Sequence, residues 1–144
     1  MTTARDVMHA GAECIDARQT LMDAARLMRD MNVGALPICG PDKKLKGIVT
    51  DRDIVVRCIA EGKDPSTMKA MDLADHLHCV RADDDMSVVL SKMEQHRIRR
   101  IPVIHEDKLV GMISESDIAN CHRDGNHLTD RQIVEFMDSV YVDR

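Results

Sequence analysis

Apolar residues recur along this chain with two kinds of spacing. At Leu21, Ala24, Ala25, Met28 and Met31, and again at Met86, Val89, Leu90 and Met93, they fall three and four positions apart. That spacing lines one side of a helix, so it predicts an amphipathic helix at each place. Shorter continuous runs follow: "ALPIC" and "LKGIV" around "GPDKK", then "IPVI" and "LVGMI" around "HEDK". Runs of this length, broken by turn-forming residues, predict two β-hairpins. Each hairpin carries one proline, Pro37 or Pro102, which has no N–H for a ladder and so belongs at a strand start or on an edge. After the first hairpin, Ile54, Val55, Cys58 and Ile59 predict a further helix with an apolar face, and Gly62 and Pro65 end it. Short apolar pieces, "CI" at Cys14 and "CV" at Cys79, precede the first helix of each series.

The two series are copies of one unit, a self-similarity worth establishing before any local reading. At an offset of 65, Cys14 falls on Cys79, Ala17 on Ala82, Met28 on Met93 and Pro37 on Pro102. After a one-residue deletion, Leu45, Gly47, Asp53 and Ile54 fall on Leu109, Gly111, Asp117 and Ile118. The phrase "GIVTDRDI" at Gly47 thus returns as "GMISESDI" at Gly111. The predicted unit is strand, helix, strand, strand, helix.

Composition narrows the classes of function. With 25 acidic and 20 basic residues, a net charge of −5, one Phe, one Tyr and no Trp, the chain lacks the basic, aromatic surface that nucleic acid needs. A chain of 144 residues buries about two-thirds of its unfolded surface, so it needs no disulfide scaffold. Eleven methionines fill the gaps of an aliphatic core. No apolar run approaches the roughly 20 residues of a membrane span, and the first residues have no signal-peptide core. The expectation is a soluble, cytoplasmic protein with no nucleic-acid or membrane partner.

An apolar residue and proline ending one segment, Gly-x-Ile-Thr/Ser closing a hairpin and x-x-Asp-Ile opening a helix together resemble the CBS domain, which occurs in tandem as the Bateman module. The lead-in "ARDVM" at Ala4 has a looser counterpart in "AMDLA" at Ala70. The resemblance implies an α+β fold of two CBS units related by a pseudo-twofold axis, one over residues 1–70 and one over 71–144 with an added C-terminal helix. It further implies a regulatory module that binds an adenosine-containing ligand in clefts between the units, AMP or ATP first, with ADP, NAD or S-adenosylmethionine as others.

The family's ribose-binding hydroxyl and carboxylate match Thr50 and Asp53 in the first copy and Ser114 and Asp117 in the second. Its adenine-facing segment matches Gly34, Ala35, Leu36 and Pro37, and then Arg99, Arg100, Ile101 and Pro102. A carboxylate suits the vicinal hydroxyls of a ribose, because charge-assisted hydrogen bonds are the stronger kind. Phosphates would take the following helix N-terminus and arginines drawn from Arg52, Arg97, Arg99 and Arg100. Thr50-x-x-Asp53 and Ser114-x-x-Asp117 also have the spacing of a capping box. Both roles are compatible if the hydroxyl caps the helix and the aspartate, shorter than the usual Glu or Gln, stays free for ligand. Arg99 stands where the first copy has Gly34, so the two sites are not equivalent; the cation either adds a phosphate contact or obstructs the base.

The remaining features bear on the alternative, a dimeric interaction or stress protein with vestigial clefts that is redox- or metal-responsive. "HLHC" (His76, His78, Cys79) and "CHRDGNH" (Cys121, His122, His127) lack the paired spacing of a structural zinc site, so no metal ligand is assigned. Cys58 falls on an apolar helix face. Cys14 and Cys39 would lie on neighbouring strands of this fold, where a disulfide could join them under oxidising conditions; reducing conditions would keep them as thiols. No phosphate loop, nucleophile elbow or catalytic grouping stands outside the repeat, so the chain reads as a non-enzyme without catalytic cofactor. "LTDRQIVEFMDSVY" adds a helix with Thr129 and Gln132 as a capping box and an apolar stripe of Ile133, Phe136, Met137, Val140 and Tyr141. The stripe is either a lid over the module or a surface for a second subunit. A homodimer through the Ile54–Ile59 helix and an unidentified effector protein complete the expected partners.

Overall fold

The computed structural model describes residues 1–74, 77–121 and 128–141. In chain order the elements are α1 (Ala4–Val7), β1 (His9–Ala10), β2 (Ile15–Asp16), α2 (Leu21–Met31), β3 (Ala35–Cys39) and β4 (Leu45–Thr50). Then come α3 (Asp51–Asp53), continued as a π-helix over Ile54–Ile59, and a 3₁₀ turn at Ala70–Leu73. The rest are β5 (Val80–Arg81), α4 (Met86–His96), β6 (Arg100–His105), β7 (Lys108–Ser114), α5 (Glu115–Asn120) and α6 (Asp130–Tyr141).

The helices and hairpins fall where the apolar spacing puts them. Leu21, Ala24 and Met28 of α2 are buried, as are Met86, Val89, Leu90 and Met93 of α4. Strands β2, β3 and β4 form one sheet, with β2 parallel to β3 and β4 antiparallel to it. The second sheet runs β1, β7, β6, β5. The prolines obey the edge rule although β3 and β6 are central strands. The two-residue β2 pairs only with Ile38 and Cys39, and β5 only with Val103 and Ile104. Pro37 and Pro102 each lie just short of that pairing, where the strand has a neighbour on one side only.

The chain forms two compact units, one of Glu13–His78 and the other of Met1–Ala12 with Cys79–Arg144. This partition differs from a cut at residue 70, and backbone hydrogen bonds give the reason. The lead-in of each copy docks on the other copy. Ala4 N donates to Asp84 O at 2.8 Å and Arg5 N to Ala82 O at 2.9 Å. Ala70 N donates to Gln19 O at 2.8 Å and Met71 N to Ala17 O at 3.2 Å. Ala4 and Val7 accordingly belong to the core of Val80, Met86, Ile101, Val103, Ile113 and Phe136, while Ala70 and Leu73 belong to that of Ile15, Leu36, Ile38, Val49 and Cys58.

The helix after β4 departs from expectation. Its apolar residues form two stripes rather than one face: Ile54 and Cys58 are buried, whereas Val55, Val56 and Ile59 are exposed. One stripe is all that the three-stranded sheet covers. Helix α6 packs Phe136 and Val140 into its own unit's core, so on that face its apolar stripe is a lid.

Candidate ligand site

Each repeated phrase turns a strand directly into a helix, and the turn is held by two kinds of contact. Asp51 N donates to Gly34 O at 2.9 Å, and Glu115 N donates to Arg99 O at 3.0 Å, tying the first residue of each helix to the start of the neighbouring strand. Gly34 and Arg99 therefore have the same backbone role, and their carbonyls are already engaged. Ala35, Leu36, Pro37, Ile101 and Pro102 are buried, which leaves main-chain atoms as what this segment can offer a ligand.

The second contact is a capping box in both copies. Asp53 N donates to Thr50 Oγ1 at 3.1 Å, and Thr50 N donates to Asp53 Oδ2 at 3.0 Å. In the other copy, Ser114 N donates to Asp117 Oδ2 at 2.8 Å and Ser114 Oγ to the same oxygen at 2.9 Å. The division expected from sequence, hydroxyl for the cap and aspartate for the ligand, is not the one found. Each aspartate reaches back with one oxygen, as an N3 acid does in any such box. Aspartate is long enough here, for Thr3 with Asp6 and Thr20 with Asp23 make the same arrangement.

What distinguishes the two sites is the remaining carboxylate oxygen. Asp53 Oδ1 faces Arg57 Nη1 at 4.0 Å, with 27% of its side chain exposed, while Arg57 Nη1 donates to Leu73 O at 3.2 Å. Asp117 Oδ1 lies 2.7 Å from His9 Nε2, and only 8% of the side chain is exposed. Strand β1 sets His9 there by pairing with β7, His9 opposite Met112 and Ala10 opposite Gly111. His9 and Asp117 share the wall of a cavity of about 410 Å³ with Asp6, Val7, Met8, Asn120 and Cys121.

The arginines are dispersed. Arg99 turns its guanidinium over the Tyr141 ring, 4.8 Å from the centroid, and its Nη2 has no hydrogen-bond partner among the described residues. The Tyr141 hydroxyl donates to Glu115 Oε2, and that bond pushes the phenol's pKa up. Arg52 is exposed in the first turn of α3, and Arg100 is half-buried at the start of β6. Arg97 is the left-handed C-cap of α4 (φ 52°), as Asn32 is of α2 (φ 55°). Sequence reasoning gave the helix carrying Tyr141, as a lid or as a surface for a second subunit, but not His9, whose two-residue strand has no periodicity to read.

Cys14 and Cys39 are neighbours, as expected, and both are thiols. Burial, and then the adjacent Cys14 thiol, push the pKa of Cys39 up to about 12. Among the described residues no three His, Cys, Asp or Glu side chains converge on a cation position. His76, His122 and His127 lie outside the described residues. Among those residues no helix is long and apolar enough to cross a membrane.

A sheet flanked by helices, with Gly-x-Val/Ile-Thr/Ser feeding x-x-Asp-Ile twice, defines the class: the chain belongs to the CBS domain family, which matches it over residues 4–59 and 70–123. Among individual proteins it is similar to hypoxic response protein 1 of Mycobacterium tuberculosis, 46% identical over 141 residues that span 97% of this chain and 94% of that one. It is also similar to the CBS domain-containing protein YhcV of Bacillus subtilis, 34% identical over 83% of this chain and 84% of that one. A crystal structure of hypoxic response protein I with two coordinated zinc ions superposes with a TM-score of 0.79 at 50% identity, over 83% of this chain and 98% of that one.

Proposed function

We propose that this chain is a regulatory sensor, not a catalyst, that binds an adenosine-containing ligand at Thr50 and Asp53 and reports it to a partner protein in the cytoplasm. The observation that supports this reading is the state of Asp53. One oxygen completes the helix cap, and the other faces a half-buried arginine at 4.0 Å on a side chain that is 27% exposed, where ribose hydroxyls can donate to it. The Thr50 hydroxyl keeps acceptor and donor capacity beyond the single bond it accepts. Main-chain groups of the Gly34–Pro37 segment lie next to this corner, since Ala35 pairs with Thr50. AMP and ATP are the first ligands to consider, then ADP, NAD and S-adenosylmethionine. A thermal-shift series over these five tests the reading. A ligand at 100 times its dissociation constant adds about 2.7 kcal/mol to stability. No shift with any of them leaves a non-sensing interaction protein as the better description.

The exposed stripe of Val55, Val56 and Ile59 supports a homodimer formed through this helix. Zinc binding is a second reading, carried only by the two zinc ions of the half-identical relative. The described residues offer no donor set for it, and metal analysis of protein purified without a histidine tag and without added zinc decides it.

A further inference from the structure

We propose that His9 determines how many adenosine ligands the chain takes: it occupies the second copy's ribose position from within, so that the ligand binds at Asp53 and not at Asp117. The proposal rests on the reading of Thr50 and Asp53 as a ligand site, and deepens it.

The two aspartates start from the same capping box, so any difference in what they can bind lies in Oδ1. In the second copy both oxygens are engaged, on a side chain only 8% exposed. Oδ2 accepts from the Ser114 N–H and hydroxyl, and Oδ1 meets His9 Nε2 at 2.7 Å. A ribose needs that same oxygen as its acceptor and would have to displace the imidazole. The imidazole is not a passing contact. Met8 and His9 cross β7 so closely that a Cβ on Gly111 would stand 2.6 Å from the His9 carbonyl oxygen. Gly11 N also donates to Val110 O at 3.3 Å, so backbone bonds hold the segment on both sides of β1.

In the first copy the residue that matches His9 across the repeat of the lead-in is Asp75, a carboxylate in place of an imidazole. The cation that faces Asp53 Oδ1 is Arg57, at 4.0 Å rather than 2.7 Å. A second occupant acts in the same direction. Tyr141 covers the Arg99 guanidinium and ties itself to Glu115, the first residue of α5, while Gly34 has no side chain to be covered. Tyr141 comes from α6, which has no counterpart in the other unit, and His9 from a lead-in whose counterpart carries Asp75 at the matching position.

Calorimetric titration with AMP, and in parallel with ATP, tests this on the full chain and on His9→Ala, an exposed substitution whose folding is checked by melting. The expected result is about one nucleotide per wild-type chain and about two per His9→Ala chain, the gained site being lost again in His9→Ala/Asp117→Ala. Two nucleotides on the wild type, or still one on His9→Ala, would overturn the role of His9 and leave the Asp53 site standing. None on the wild type and about one on His9→Ala would support the occlusion by His9 and overturn the Asp53 site. No binding by either protein overturns both.

Discussion

Gly47 lies directly against Ala74: a Cβ added to the glycine would stand 2.7 Å from the alanine Cβ. Its counterpart Gly111 would meet the His9 carbonyl oxygen and Met8 Sδ, each at 2.6 Å. The glycine that opens each repeated phrase is thus required by the lead-in that crosses the strand there. Because the obstacle at Gly111 includes backbone, Gly111→Ala is expected to cost about 1–3 kcal/mol, measured by urea unfolding. An unchanged midpoint would mean that β1 simply lifts away.

Asp53 and Asp23 make the same capping box, but only Asp53 stands at the proposed ligand corner. Each aspartate→Ala substitution is expected to lower stability by about 0.5–2 kcal/mol. Only Asp53→Ala should also weaken nucleotide binding, by at least about tenfold, since it removes charge-assisted hydrogen bonds worth roughly 1.5–3 kcal/mol each. Equal affinities in the two variants would reduce the repeated phrase to helix capping.

Phe136 of α6 is fully buried. Phe136→Ala is expected to cost about 3–5 kcal/mol, as the loss of a large core side chain does. The effect should be concentrated in amide exchange of the Cys79–Arg144 unit, because that is the core Phe136 fills. Uniform deprotection of both units would show that they unfold as one.

Cys39 provides a pH dependence with a definite sign. Its pKa rises from 9.0 to about 12 on folding, so the fold favours the neutral thiol. That contribution is complete below the unfolded value and is lost as pH climbs toward the folded one. Stability should therefore decline between pH 9 and pH 11 more steeply in the wild type than in Cys39→Ala. Iodoacetamide at pH 8 should label the half-exposed Cys14 well before Cys39. Labelling at equal rates would contradict the assignment.

Val55 and Ile59 test the proposed dimer. Val55→Asp/Ile59→Asp puts two charges on an exposed stripe that the chain's own core does not use. If chains pair there, light scattering should fall from about twice the monomer mass to the monomer value without loss of secondary structure. An unchanged mass would place any association elsewhere.

Most of the architecture is legible in sequence because it is written in side-chain spacing. Leu21 to Met31 and Met86 to Met93 carry the helical period, and Pro37 and Pro102 mark where a strand has one neighbour. The exchange of lead-ins is not legible, since Ala4 N–H to Asp84 O is a main-chain bond that nearly any residue can make. Ile59 misleads because an apolar residue looks the same whether it faces the sheet or the solvent. At the site, Thr50, Asp53, Ser114 and Asp117 are found by the repeat, whereas His9 is not. A histidine reaches an aspartate more than a hundred positions away only through the pairing of β1 with β7.

That pairing also orders events during synthesis. Met1–Ala12 are made before the Glu13–His78 unit, yet their hydrogen-bond partners, Ala82, Asp84, Val110 and Met112, are made only after that whole unit has emerged. Chains fold from the N-terminus as they are made. The Glu13–His78 unit can therefore assemble while the segment made before it waits unpaired, and residues synthesised earlier find their places later.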